Sequence, residues 1–197
     1  MADNSLVFLP SSAPPARKKP VIPSPVLGML IFTGTELMLF AGLISSISIL
    51  RNSVPVWPPP GQPRLPVEET IINTVALLLS GFFLILASRR FKNEPKEAQG
   101  SMVTSLVLGA FFVLLQGREW VDLLALGLTF TSSTHGSFFY LIIGMHAAHA
   151  LIGVGVLALA CWKLKKGTLN SGTFGAIQVF WYFVVGMWPI LYARVYF

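Results

Sequence analysis

Five long apolar runs divide the chain, at about residues 26–50, 70–88, 98–116, 135–162 and 173–195. A helix rising 1.5 Å per residue needs about twenty residues to cross roughly 30 Å of hydrocarbon, and every run is near that length or longer. The segments between them break helices. The stretch from Val54 to Pro66 is so dense in proline that no helix can continue through it. Arg89 and Arg90 close the second run, and the short loop Phe91-Lys-Asn-Glu-Pro-Lys-Glu97 leads to the third. Lys163, Lys165 and Lys166 close the fourth. The partly apolar stretch Gly117–Thr134 reads as an interfacial extension between the third and fourth runs. Residues 1–25 are polar and rich in proline, without the apolar core and small-residue cleavage site of a signal peptide, and read as a flexible arm on the cytoplasmic side. The pattern predicts an all-α fold, a polytopic membrane bundle of five transmembrane helices spanning residues 26–197.

Composition sharpens this picture. Of 197 residues, 54% are hydrophobic and only 11% charged, about half the charged fraction of a soluble domain. The net charge of +6 does not point to nucleic acid, because the basic residues sit at the ends of apolar runs. One side of the predicted bundle collects Arg17, Lys18, Lys19, Arg89, Arg90, Lys92, Lys96, Lys163, Lys165 and Lys166. The other collects Arg51, Arg64, Arg118 and Arg194. Ten against four predicts an N-in/C-out topology. Trp57, Trp120, Trp162 and Trp188 fall near run ends, as an aromatic belt would. The single Cys161 excludes an internal disulfide and any cysteine-based zinc or iron–sulfur site within the chain. Gly144, Ala148 and Gly153 suit close helix contacts. No internal repeat supports an inverted-repeat transporter.

The few ionisable groups inside the runs are the candidate chemistry. Glu36 lies ten residues into the first run, about 15 Å from its start. A charge there costs on the order of 2.5–3.5 kcal/mol, so it should face protein or a polar cavity, either as a proton-binding or lipid-organising carboxylate or as a hydrogen-bonded packing residue. His146 and His149 are three apart on the fourth run and share a face. Their depth, about 17–21 Å, matches that of Glu36 and predicts a Glu36–His149 hydrogen bond. A metal site would need further inward ligands, and two stacked haems would need four histidines where the chain has three, His135, His146 and His149. Neither metal nor haem is therefore expected in this chain. Gln116, Glu119 and Asp122 read as a solvated helix end in preference to a functional cluster, and Asn73 and Thr74 as caps of the second run. No nucleophile–base pair, phosphate loop or dinucleotide fingerprint occurs, and no catalytic residue is predicted.

Read with their neighbours, these polar residues resemble subunit III of the haem–copper oxidases. The first run, Gly28-Met-Leu-Ile-Phe-Thr-Gly-Thr-Glu-Leu-Met-Leu-Phe-Ala-Gly42, is similar to the family pattern of an aromatic, a glutamate and a phenylalanine–alanine–glycine. Val56-Trp-Pro-Pro59 with Asn73-Thr-Val-Ala-Leu-Leu-Leu-Ser80 resembles its loop and next helix. Leu115-Gln116 with Glu119-Trp120 resembles a third segment. Gly136-Ser-Phe-Phe-Tyr-Leu-Ile-Ile-Gly-Met-His-Ala-Ala-His-Ala-Leu-Ile-Gly153 is close to its two-histidine helix. The likeness runs in family order from about Pro25 to Phe197, as a five-helix form lacking the first two family helices. The last run departs from the pattern: Tyr182 and Val185 stand where the family usually has a histidine and an aspartate.

The resemblance implies an auxiliary subunit of an oxidoreductase complex, a cytochrome c or quinol oxidase, with no redox centre of its own. Haem and copper belong to the partners, catalytic subunit I and its companions, within a larger respiratory supercomplex in one version of this reading. It implies bound phospholipid in a cleft between helix groups, support of proton supply during aerobic electron transport, and residence in the cytoplasmic membrane of a bacterium. Glu36, His146 and His149 would line or brace the cleft, with Gln116 and Glu119 in a polar patch near its outer end. Trp57, Asn73 and Trp181 would serve as interface or loop anchors. Two alternatives stay open on the sequence: a subunit of a nitric oxide reductase-type complex, and a small proton-coupled transporter relaying through Glu36 and His149.

Overall fold

A computed structural model describes residues 21–56 and 67–196. Every regular element among them is a helix: α1 (Ser24–Asn52), α2 (Val67–Arg90), α3 (Pro95–Ala125), α4 (Thr134–Lys165) and α5 (Ser171–Val195). All five are long and apolar enough to cross a membrane. Their starts and stops follow local chemistry. Pro95 opens α3 at a position where the missing N–H costs nothing. Ser133 and Asn170 cap α4 and α5 by accepting hydrogen bonds from the backbone N–H groups of Gly136 (3.0 Å) and Thr173 (2.7 Å). Gly127 and Gly167, at φ 84° and 69°, end α3 and α4. After each, the chain turns back onto the last helical carbonyls: Leu128 donates to Leu123 and Thr168 to Lys163.

The heptad is the unit of packing. The buried residues of α3 include the series Ala98, Met102, Ser105, Gly109, Phe112, Gln116, Glu119 and Leu123, and those of α5 the series Phe174, Ile177, Trp181, Val184, Trp188, Leu191 and Val195, with Ser101, Ala176, Phe180, Val185 and Met187 buried beside them. Both series alternate steps of three and four, the seam of helices crossing at small angles. The seam explains why α3 runs about two and a half turns beyond the apolar run that ends at Gln116. Gln116 and Glu119 are themselves seam positions, and the helix stops only at Gly127. The interfacial extension expected from Gly117 onward is thus, through Ala125, a continuation of α3.

Helix α5 is the hub, packing on α1, α2 and α4, while α2 and α3 form a tight hairpin and α3 packs on α4. Trp181 ties them together. Its ring is fully enclosed, and a Cβ on Gly109 of α3 or Gly153 of α4 would sit 2.6 Å from it. Its indole N–H donates to Ser80 Oγ of α2 at 3.0 Å, and that hydroxyl donates to the Ser105 carbonyl of α3 at 2.7 Å. Val185 packs on Gly81, so where the family usually has an aspartate this chain has an apolar contact. Helix α1 is the outlier. Its buried residues are Thr33, Phe40 and Ile47, one every seven, and it touches α5 and the flank of α4.

One expectation about tryptophan is corrected. Trp188 belongs to the core and not to a belt: it is fully buried, and its indole N–H donates to Thr74 Oγ1 at 2.8 Å. Trp181 and Asn73, read as interface or loop anchors, are interior side chains enclosed by this chain's own helices. Trp57 lies outside the described residues.

Candidate functional site

The polar residues singled out in the sequence form two groups at different places in the bundle. The first joins α1 to α4 within the spans. His149 Nε2 stands 3.1 Å from Glu36 Oε2, the contact expected from their matched depth. His149 Nδ1 lies 2.7 Å from the Met145 carbonyl oxygen. A carbonyl only accepts, so Nδ1 carries a hydrogen and donates it. The other ring nitrogen therefore has two states. Either it is bare and accepts O–H from a neutral Glu36, or it is protonated and donates to the Glu36 carboxylate. One proton lies between the two side chains in both, and the pair is neutral overall in both. That neutrality is what makes an acid and a base affordable inside hydrocarbon.

Aromatic rings enclose the pair. Phe40, one heptad from Thr33 and from Ile47, lies edge-on to His149 with ring centroids 5.6 Å apart, and Phe183 and Phe180 cover the imidazole from α5. The enclosure is incomplete: the Glu36 side chain keeps 18% of its surface and His149 keeps 10%. An apolar cavity of about 180 Å³, lined by Met29, Phe32, His149, Ile152, Val156 and Phe180 of α1, α4 and α5, adjoins the pair.

His146 shares the helix face but not the environment. It sits in an aromatic box of Trp188 (centroid distance 5.1 Å), Phe112 (6.1 Å) and Phe40 (6.4 Å). Its Nε2 is buried and has no hydrogen-bond partner among the described residues. Three residues advance a helix by 300°, so the two rings point about 60° apart, His149 toward α1 and His146 toward α3 and α5.

The second group lies where α2 begins and α3 and α5 end. Thr70 Oγ1 donates toward the Glu119 carboxylate at 3.2 Å, and Gln116 Nε2 donates to Glu119 Oε2 at 2.9 Å. Asn73 Nδ2 donates to Gln116 Oε1 at 3.2 Å, and Gln116 Nε2 also reaches Tyr196 Oη at 3.3 Å. Gln116 and Glu119 are 3% and 4% exposed, which corrects the solvated helix end expected there. Only Asp122 keeps that character, exposed and loosely paired with Arg118 at 4.0 Å. Asn73 and Thr74 lie about two turns inside α2 and so do not cap it. Thr70, Phe40, Ser80, Trp188 and Tyr196 were not picked out from the sequence as site residues. The signal available was spacing: Trp181 and Trp188 are seven apart, and so are Thr33, Phe40 and Ile47. Among the described residues no three His, Cys, Asp or Glu side chains are grouped to hold a metal ion.

A family model described as "Cytochrome c oxidase subunit III" matches residues 16–197. Curated relatives agree with it. The chain is 31% identical over 180 residues to cytochrome c oxidase subunit 3 of Pelomedusa subrufa and 29% identical over 179 residues to that of Oryctolagus cuniculus. It is 29% identical over 191 residues to the probable cytochrome c oxidase subunit 3 of Rickettsia bellii. Each match covers 86% of this chain and 67% of the relative. The Glu36-bearing first helix, the Gln116–Glu119 segment and the two-histidine helix all fall inside the matched range, and the chain belongs to the cytochrome c oxidase subunit III family.

Proposed function

We propose that this chain is the non-catalytic subunit III of a respiratory haem–copper terminal oxidase. It packs against catalytic subunit I, which with its companions carries haem and copper, and within the membrane it supports proton supply to the oxygen-reducing site. The observation that carries this reading is the family match across residues 16–197, with Glu36 and His149 inside it on facing helices, 3.1 Å apart. A net-neutral pair sharing one proton is suited to holding or passing a proton beside a partner without a charge stranded in lipid. The apolar cavity beside it, lined by α1, α4 and α5, suits an acyl chain, and bound phospholipid there belongs to the reading. The ten basic residues on one side favour an N-terminus in the cytoplasm, and the Rickettsia relative is consistent with the cytoplasmic membrane of a bacterium. The two alternatives weighed from the sequence, a nitric oxide reductase-type subunit and a small proton-coupled transporter, find no support among the relatives named above.

The test is purification of the tagged chain from its native membranes, followed by a haem spectrum and identification of the accompanying subunits. Co-purification with a haem-containing chain that reduces oxygen is the expected result. Recovery without any haem chain, together with proton-coupled transport by the chain alone in vesicles, would reject it.

A further inference from the structure

Two arginines converge where α1 and α5 end. Arg51 and Arg194 line one cavity of about 320 Å³ with Ile47, Ser48 and Asn52. Each is the basic residue of its helix's last turn, where a cation is favoured by the helix dipole. That accounts for one arginine on each helix but not for two sharing a cavity. The capping bonds at these ends are backbone ones: the Ser53 N–H reaches the carbonyls of Ile49 and Leu50 in α1, and the Tyr196 N–H that of Tyr192 in α5. The ion pairs among the described residues are Arg90–Glu97, Arg118–Asp122 and Glu36–His149, and none takes up Arg51 or Arg194. Like charges face a common space, with Ser48 and Asn52 adding polar walls and Ile47 an apolar one.

We infer that this cavity binds a phosphate group, held by the paired guanidinium forks of Arg51 and Arg194, and that the phosphate is that of an anionic phospholipid. The planar guanidinium, with its fixed donors, matches phosphate oxygens in two-pronged fashion. Depth selects the lipid. The apolar run of α1 ends at Leu50, so Arg51 stands at the boundary where headgroups lie, and Ile49, 68% exposed, offers the flank along which acyl chains would run. Two positive charges without an ion-pair partner among the described residues favour a headgroup without an amine of its own. The inference needs only that the helices cross a membrane, and it stands or falls independently of the oxidase assignment.

Native mass spectrometry of the full chain, in whatever complex it purifies with, tests the site after detergent delipidation and addition of phosphatidylglycerol, phosphatidylcholine or inorganic phosphate. The wild type should retain one more phosphatidylglycerol per chain than Arg51→Gln/Arg194→Gln. Arg51→Lys/Arg194→Lys should keep part of that difference, and phosphatidylcholine should show none. Inorganic phosphate that displaces the lipid only when both arginines are present would keep the site and change its source. Equal phosphatidylglycerol counts in wild type and the glutamine variant, with no arginine-dependent response to phosphate, would overturn the inference. So would equal loss in Lys163→Gln/Lys165→Gln, which removes the same charge from the opposite end of the bundle.

Discussion

Glu36 and Glu119 are both carboxylates within membrane-spanning helices, and the bundle treats them in opposite ways. Glu119 is enclosed: it is 4% exposed and accepts from Thr70 and Gln116, and Gln116 is in turn bound to Asn73 and Tyr196. Three elements converge on it, so its position is set by the same heptad seams that hold α2, α3 and α5 together. Among the described residues Glu36 has one polar partner, His149, on a helix that otherwise scarcely touches α1. Its side chain keeps 18% of its surface and lies near an apolar cavity. A carboxylate with many donors serves structure, because moving it would strand several polar groups at once. A carboxylate with one partner and a shared proton can change state, because little else has to move with it. The comparison assigns architecture to Glu119 and adaptability to Glu36.

The largest expected effect comes from removing what holds α1 over the pair. Phe40 is fully buried at the middle of α1's one-in-seven seam and faces His146, His149 and Phe183. Truncating a buried phenylalanine costs about 3–5 kcal/mol in soluble cores, and Phe40→Ala should fall near the lower figure where acyl chains can fill the gap. The loss should be local, with hydrogen exchange rising in α1 and staying low in α2 and α3. If protection fell equally in all five helices, α1 would not be the separable element described.

Glu119→Ala should come next and act in the opposite manner. Thr70 and Gln116 lose their acceptor in a buried site, where an unsatisfied donor costs about 1–3 kcal/mol, and because Gln116 Nε2 keeps Tyr196 Oη the total should fall near the lower end, roughly 2 kcal/mol. Thermal unfolding of the purified complex should shift as a whole, and Glu119→Gln, which keeps the shape and one acceptor, should recover most of it. An unchanged unfolding temperature for Glu119→Ala would place this network among solvated groups and erase the contrast with Glu36.

How much of this was legible before the structure depends on what each residue's fate rests on. The five helices follow from the length and apolarity of the runs, which are local properties. The Glu36–His149 contact was also reachable, because depth along a straight helix is simple arithmetic and two polar groups at one depth in hydrocarbon have few other partners. The fate of Gln116 and Glu119 was not. Beside Arg118 and Asp122 they read as the wet end of a run, and nothing local reveals that Thr70, Asn73 and Tyr196 come from other helices to enclose them. Trp188 failed likewise: a tryptophan near the end of a run suits a belt, and only the spacing of seven from Trp181 marks it as core. Periodicity carries the burial, and the apolar runs alone do not display it, since nearly every position in them is apolar.

The smallest structural effect belongs to Glu36→Gln, and it tests the adaptable half of the comparison directly. The His149 Nδ1–H is committed to the Met145 carbonyl at 2.7 Å, so Nε2 in neutral histidine is an acceptor. A glutamine amide N–H at position 36 can donate to it where the Glu36 O–H did. The hydrogen bond survives, the site stays neutral, and stability should change by less than about 1 kcal/mol. What disappears is the transferable proton, because an amide does not release one at any working pH. The complex should therefore assemble with normal subunit content and an unchanged unfolding temperature, yet its oxidase should lose activity sooner during sustained turnover or show altered proton uptake. Since fold and polar contact are both retained, any such defect reports on the proton alone. Wild-type endurance and wild-type proton uptake in an assembled Glu36→Gln complex would make the pair a packing contact of the same kind as Glu119, and the distinction between the two carboxylates would be one of exposure only.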